Sequence, residues 1–277
     1  MTSHFFNHPL VNLHYYRFGT GSKIMLCFHG LGMHGKQFFV LEKELGEEYS
    51  FYGFDLFFHK ETILNNNEIQ EIKKGITQIE LTSLFVDFCQ YQQIDEFSVL
   101  SYSMGTFYAA ALMSFIPDRI QEAFLIAPSF LKTPKVLDFL ANNRAANYFF
   151  EKLLLSENGL KILLKACLRL HIVDNSNYEI LYREIETAQL RFNFYANVTY
   201  LKHMNVDYGL LADAINRNHI NCYFIFGKWD KSIPPGSGVK FLSSLRGAKR
   251  ITLDEGHDLV TVRLTKKMLF CEYDDQS

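Results

Sequence analysis

Short apolar runs that alternate with helix-like stretches constrain this 277-residue chain most. Ile24–Phe28, Ala123–Ala127 and Cys222–Phe226 contain no polar residue. A strand with one wet face would alternate, so a continuous apolar run points to a strand covered on both faces. Ser50–Phe54, Phe97–Leu100 and Arg250–Leu253 extend the series. Between them lie helical patterns at 36–45, 107–115 and 258–270, and a stripe of Leu81, Leu84, Phe85 and Phe88 at helical spacing. Strand and helix in alternation predict an α/β chain with a mostly parallel sheet of about eight strands flanked by helices. Its first two strands, Ser3–Asn7 and Val11–Phe18, are joined by a tight turn at Pro9 and predict an antiparallel start.

The alternation stops between Ser129 and about Ala214. Helical patterns run through 134–143, 144–156, 159–170, 179–194 and 198–205 without a convincing strand. A single crossover needs only about a dozen residues. The block therefore reads as an all-helical insertion over the strand ends, where open sheets place their sites. The expected organisation is a core of residues 1–128 and 215–277 with a helical cap, or lid, at 129–214. No internal repeat or low-complexity segment interrupts it.

Composition narrows the function. Charged residues are 21% of the chain and the net charge is −2, with no Lys/Arg block to hold a phosphate backbone, so no nucleic-acid partner is expected. The longest apolar stretch, about 107–116, is too short for a bilayer of roughly 30 Å, so no membrane span is expected. The first ten residues lack the pattern of a signal peptide. Five scattered cysteines, Cys27, Cys89, Cys167, Cys222 and Cys271, show no metal-ligand spacing and read as reduced thiols of a cytoplasmic protein. Phe and Tyr, 26 and 15 residues, are spread along the whole chain, so no local aromatic cluster marks a pocket.

The chemistry centres on Glu96-Phe97-Ser98-Val99-Leu100-Ser101-Tyr102-Ser103-Met104-Gly105-Thr106. An apolar run enters a tight turn among small residues and a helical pattern leaves it, the layout that exposes a serine hydroxyl, here Ser103. Serine needs a base to take its proton, and the base needs an orienting acid. Of the later histidines, His171 and His203 fall in the helical block and His219 precedes a strand. His257 alone follows a strand directly, after Gly256, which would allow a sharp turn. Asp230 follows the apolar strand that ends at Gly227; Asp254, Glu255 and Asp258 are nearer in sequence to His257 and remain alternatives. Charge developing on a carbonyl oxygen needs backbone N–H donors. Met104, just after the nucleophile, and Leu31, in His29-Gly30-Leu31-Gly32-Met33-His34-Gly35, are the candidates. His29, Gly30, Gly32, Ser101 and Gly105 are read as loop-shaping, with His29 ordering its loop by hydrogen bonding. His34 and His59 are read as solvated loop histidines.

With these motifs the chain resembles the α/β-hydrolase superfamily with a helical cap, over nearly its full length. The H-G-L-G of 29–32, S-Y-S-M-G of 101–105, G-K-W-D of 227–230 and G-H of 256–257 match in order and spacing. The resemblance implies Ser103 as nucleophile, His257 as base, Asp230 as acid, and Leu31 with Met104 as oxyanion donors. Ser101 stands where the elbow usually has its first glycine, and Thr106 where a glycine is common. The loop 55–62 keeps Asp55 but lacks the usual proline and glycines, which leaves its shape open.

The expected activity is hydrolysis of a carboxylic ester or thioester of a small, partly apolar substrate through an acyl-enzyme, with no metal and no organic cofactor. Related families cleave carbon–carbon bonds or eliminate small acids with the same three residues. A carboxylate-binding arginine from Arg144, Arg169, Arg183 or Arg191 would favour that alternative. Haloalkane and epoxide chemistries place Asp at the position of Ser103. A small-molecule receptor that retains the shell is a third reading. The oligomeric state is not encoded in any feature of the sequence.

Overall fold

The computed structural model describes residues 1–133, 135–156, 158–159, 161–162, 165, 169 and 186–264. Strands β1 (Thr2–Asn7) and β2 (Val11–Phe18) form the antiparallel hairpin expected from the sequence. β3 (Lys23–Phe28), β4 (Tyr49–Phe54), β6 (Phe97–Tyr102), β7 (Ile120–Ile126), β8 (Asn221–Gly227) and β9 (Lys249–Leu253) pair in parallel. The two-residue β5 (Ile63–Leu64) pairs with β2 and was not foreseen, because so short a strand leaves no periodicity. The order is β1-β2-β4-β3-β6-β7-β8-β9. This is the expected mostly parallel sheet, and β4, β6 and most of β7 and β8 are buried as continuous apolar strands must be.

Two compact units divide the chain. The sheet unit comprises Met1–Asn65, Thr77–Thr133 and Met204–Ser277. Its helix α3 (Gln78–Gln92) starts at a capping box: the Glu80 N–H donates to Thr77 Oγ1 and the Thr77 N–H donates to the Glu80 carboxylate. The stripe of α3 lies on the sheet, where Phe85 meets Phe28 edge-on at 5.0 Å and Phe54 at 5.1 Å. Such aromatic pairs add about 0.5–1.5 kcal/mol each beyond their burial, and these two fix α3 over β3 and β4. Helix α4 (Thr106–Phe115) follows β6 directly and stops before Pro117, which begins a short 3₁₀ turn. The helix expected at 36–45 is a 3₁₀ segment, Gly35–Leu41, running into α1 (Glu42–Leu45). A helix at Tyr208–Asn218, capped by the Asp207 carboxylate, was not foreseen.

The second unit comprises Asn66–Ile76 and Pro134–His203, and its described residues contain helices and no strand. Helix α2 (Ile69–Lys74) joins α5 (Lys135–Asn142), α6 (Arg144–Leu155) and α7 (Ala188–Tyr200) there. Asn147 ties them together: its amide donates to the Leu140 carbonyl and to Thr199 Oγ1, and it accepts from the Tyr195 hydroxyl at 2.9 Å. Lys73 and Glu151 pair at 2.6 Å. The separate helices expected at 179–194 and 198–205 meet in the single helix α7, in which Tyr195–Asn197 are buried rather than forming a loop, and it ends at Tyr200, so Leu201–Asn205 are not helical as expected. Most of the helix expected at 159–170, residues 179–185 of the next, and 265–270 of the last lie outside the described residues. The part of that last segment which is described turns helical only at Val262, not at Asp258.

Candidate active site

Ser103, Asp230 and His257 follow the carboxyl ends of β6, β8 and β9 in the sheet unit. Parallel pairing puts those ends on one edge of the sheet, which is why residues so far apart in sequence meet. His257 Nδ1 lies 2.7 Å from Asp230 Oδ2, and His257 Nε2 lies 3.2 Å from Ser103 Oγ. Asp230 is buried at 3% exposure, and its second oxygen accepts the backbone N–H groups of Ser232 and Ile233 at 2.8 and 2.9 Å. Only Nδ1 can therefore carry the imidazole proton toward the carboxylate, which leaves Nε2 as the acceptor facing Ser103. Of the alternative acids, Asp254 accepts from Trp229 Nε1 at 2.9 Å and Glu255 pairs with Arg263 at 3.5 Å.

Backbone shape aims the serine. Ser103 has φ of 49°, the left-handed region that an L side chain enters at a cost of about 1–3 kcal/mol. The turn continues as a 3₁₀ segment through Met104 and Gly105 into α4. A Cβ on Gly105 would stand 2.1 Å from the Phe28 carbonyl oxygen, and one on Gly30 would stand 2.8 Å from the Tyr102 ring. Glycine at both places is what lets the loop after β3 lie against the elbow, bringing Leu31 and Met104 onto the two loops that flank Ser103. Ser101 is fully buried in β6. Gly256, expected to make the turn before His257, is not in the left-handed region, and a Cβ there would meet nothing. The close approach falls at Gly227 instead, where a Cβ would stand 2.0 Å from the Gly256 carbonyl oxygen.

Two buried imidazoles hold the loop after β3. His29 Nδ1–H donates to the Gly30 carbonyl at 2.7 Å, and its Nε2 accepts the Leu56 N–H at 3.0 Å. His59 Nδ1–H donates to the Phe57 carbonyl at 2.8 Å, and its Nε2 accepts the Gly32 N–H at 3.0 Å. Each ring uses one nitrogen as donor and the other as acceptor, which only neutral imidazole can do. Burial pushes His59 down to about 4 and His29 well below its ordinary value. The reading of His59 as solvated is thus corrected: it is 8% exposed and its ring is a strut of the loop. Gly32 takes its turn at φ of 73°.

Sequence reasoning missed three groups around the nucleophile. Ser129 Oγ lies 3.2 Å from Ser103 Oγ, at the carboxyl end of β7. Thr106 donates its hydroxyl to the Ser103 carbonyl at 2.6 Å and accepts the Ser129 N–H at 3.1 Å, so it ties the elbow to the loop after β7. The Tyr102 hydroxyl donates to the His257 carbonyl at 2.9 Å. Ser129 stands just after an apolar strand, in Ala127-Pro128-Ser129, the position from which it could have been found. Among the arginines considered as carboxylate binders, Arg191 is buried and donates to the Glu186 carbonyl, Arg144 and Arg169 are exposed, and Arg183 lies outside the described residues.

The family model for the α/β-hydrolase fold matches residues 23–163, just over half of the chain. The chain belongs to the α/β-hydrolase fold family. As a member of this family it is an enzyme of the hydrolase type. A sequence search of curated proteins gives no match. Among solved structures, an enol-lactonase from Burkholderia xenovorans is 16% identical with a TM-score of 0.66, covering 94% of this chain and 96% of that one. A thermophilic esterase from Thermogutta terrifontis is 16% identical at a TM-score of 0.62, covering 94% and 93%. The thioesterase domain from the curacin biosynthetic pathway is 16% identical at 0.62, covering 97% and 99%. These likenesses establish the fold. No helix among the described residues is long and apolar enough to cross a membrane.

Proposed function

We propose that this α/β-hydrolase is a serine hydrolase that cleaves a carboxylic ester or thioester of a small, partly apolar substrate. The observation that carries this reading is the continuous Ser103–His257–Asp230 hydrogen-bond chain, at 3.2 and 2.7 Å. Ser103 Oγ attacks the carbonyl carbon as its proton passes to His257 Nε2. Asp230 holds the other ring nitrogen and offsets the imidazolium charge. The tetrahedral oxyanion is received by the N–H groups of Leu31 and Met104. His257 returns the proton to the leaving alcohol or thiol, and the acyl group stays on Ser103. Water, deprotonated by the same Nε2, then releases the acid. A Ser103–His257 distance of 3.2 Å suits a site before substrate binding, since such bonds tighten in the substrate complex.

The esterase, the enol-lactonase and the thioesterase domain among the structural neighbours are in keeping with this reading. Pre-steady-state hydrolysis of 4-nitrophenyl acetate tests it. The expected result is a burst of one 4-nitrophenolate per chain and a trapped acetyl group on Ser103. Hydrolysis without a burst, accompanied by full activity of Ser103→Ala, would remove the acyl-enzyme.

A further inference from the structure

A second Ser–His–Asp chain joins the β1–β2 hairpin to Asp55, the residue after β4, and takes no part in the site around Ser103. Ser3 Oγ is 2.7 Å from His14 Nε2, and His14 Nδ1 is 2.7 Å from Asp55 Oδ2. Both distances match or are shorter than those around Ser103. The register explains the meeting: Phe5 pairs with His14 and Ser3 with Tyr16, so Ser3 and His14 are diagonal neighbours on one face of the hairpin. Ser3 is exposed on the edge strand, whereas His14 and Asp55 are buried at 2% and 0%.

The buried pair is held in one geometry. Asp55 Oδ1 accepts the Gly35 N–H at 2.8 Å, and Oδ2 also accepts the Tyr16 hydroxyl at 3.4 Å. The His14 N–H donates to Thr62 Oγ1 at 3.0 Å, and the Asp55 N–H donates to the His14 carbonyl at 3.0 Å. Phe5 and Tyr16 flank the ring at 4.7 and 4.6 Å. Asp55 draws the ring proton to Nδ1, so Nε2 faces the Ser3 hydroxyl as an acceptor. A nucleophile within reach of a base that a third group orients is the arrangement that activates serine.

We propose that Ser3 is a second nucleophilic serine of this protein, a modification site for small activated phosphoryl or acyl donors. With a fluorophosphonate, a bond forms from Ser3 Oγ to phosphorus and the phosphorus–fluorine bond breaks. Fluoride leaves and the hydroxyl proton passes to His14 Nε2. Ser3 lies on an exposed strand, so its selectivity comes from reactivity rather than from a shaped pocket.

The test uses the full chain with Ser103→Ala, so that the catalytic serine does not consume the probe. Fluorophosphonate labelling is followed by peptide mapping over time. The expected result is an adduct at Ser3 forming at least about tenfold faster than at the exposed Ser232 and Ser243, in line with general-base assistance. The advantage should vanish in urea, where Ser3, His14 and Asp55 separate, a comparison that needs no further variant. Ser3→Ala should abolish that adduct and, in a chain with Ser103 intact, leave ester hydrolysis unchanged. His14→Gln, with folding checked by circular dichroism, should bring Ser3 down to the rate of the other serines. Equal rates at Ser3, Ser232 and Ser243 in the folded protein, or an advantage that survives urea, would overturn the proposal.

Discussion

At the scale of single residues, the site depends on which atom holds a proton. In Asp230→Asn the backbone N–H groups of Ser232 and Ile233 still claim the amide oxygen, so the amide nitrogen faces His257 Nδ1. The ring then takes the tautomer that cannot accept from Ser103. The expected loss in kcat is about 10⁴-fold with little change in KM, read from steady-state kinetics on a short ester. Ser129 acts more weakly. Its hydroxyl is placed to donate to Ser103 Oγ, and Ser129→Ala should lower kcat/KM about fivefold, the worth of one ordinary hydrogen bond. An unchanged kcat/KM would mean that Ser129 only fills space. Ser103 and Asp230 were legible in the sequence because each lies just after an apolar strand, and His257 because it is the one later histidine just after a strand. Ser129 and Thr106 were not, because a small hydroxyl residue in a turn has many ordinary reasons to be there. His59 was misread because sequence says nothing of burial when the loop that buries it lacks periodicity.

At the scale of elements, the loop between β4 and β5 takes left-handed turns without glycine. Phe58 and Lys60 both adopt positive φ, at 62° and 46°. The chain accepts the strain because Asp55, Thr62 and His59 hold the loop: Thr62 donates to the Asp55 carbonyl at 2.6 Å and its N–H donates to the His59 carbonyl at 3.2 Å. Lys60 is exposed, so Lys60→Gly removes strain and little else. It should raise stability by about 0.5–1 kcal/mol, measured by urea denaturation, with ester hydrolysis unchanged. A loss of stability would show that the left-handed position is not strained. Strands were the most legible elements, since continuous apolar runs have few other uses in a chain of mixed composition. Helices were less so: the 3₁₀ segment at Gly35–Leu41 and the helix α7 carry bulky residues on several sides, which blurs the 3.6-residue period.

At the scale of the whole molecule, stability is tied to the neutrality of its buried histidines. His59 has its pKa lowered from 6.5 to about 4 by burial, and His29 is lowered as well. The unfolded chain takes up these protons near pH 6.5, while the folded chain resists them. Full stability is therefore present above about pH 6.5 and is lost progressively as the pH falls toward 4. For His59 alone the loss is about 3 kcal/mol. Urea midpoints between pH 7 and 4 should fall accordingly, and His59→Asn should show a flatter profile from a lower starting point. An equal slope in the variant would exclude His59 as the source. The mostly parallel sheet was legible from strand and helix alternation. The extent of the helical unit was less so, because Asn66–Ile76 reaches it from a distant part of the chain by packing that no local pattern announces. The central claim is that Ser103 is activated by His257, and rapid fluorophosphonate labelling with peptide mapping tests it most directly. A fast adduct on Ser103 is expected in the wild-type chain, with a labelling rate at that position that collapses in folded His257→Ala. A folded wild-type chain that leaves Ser103 unmodified, or a rate indifferent to His257, would contradict it.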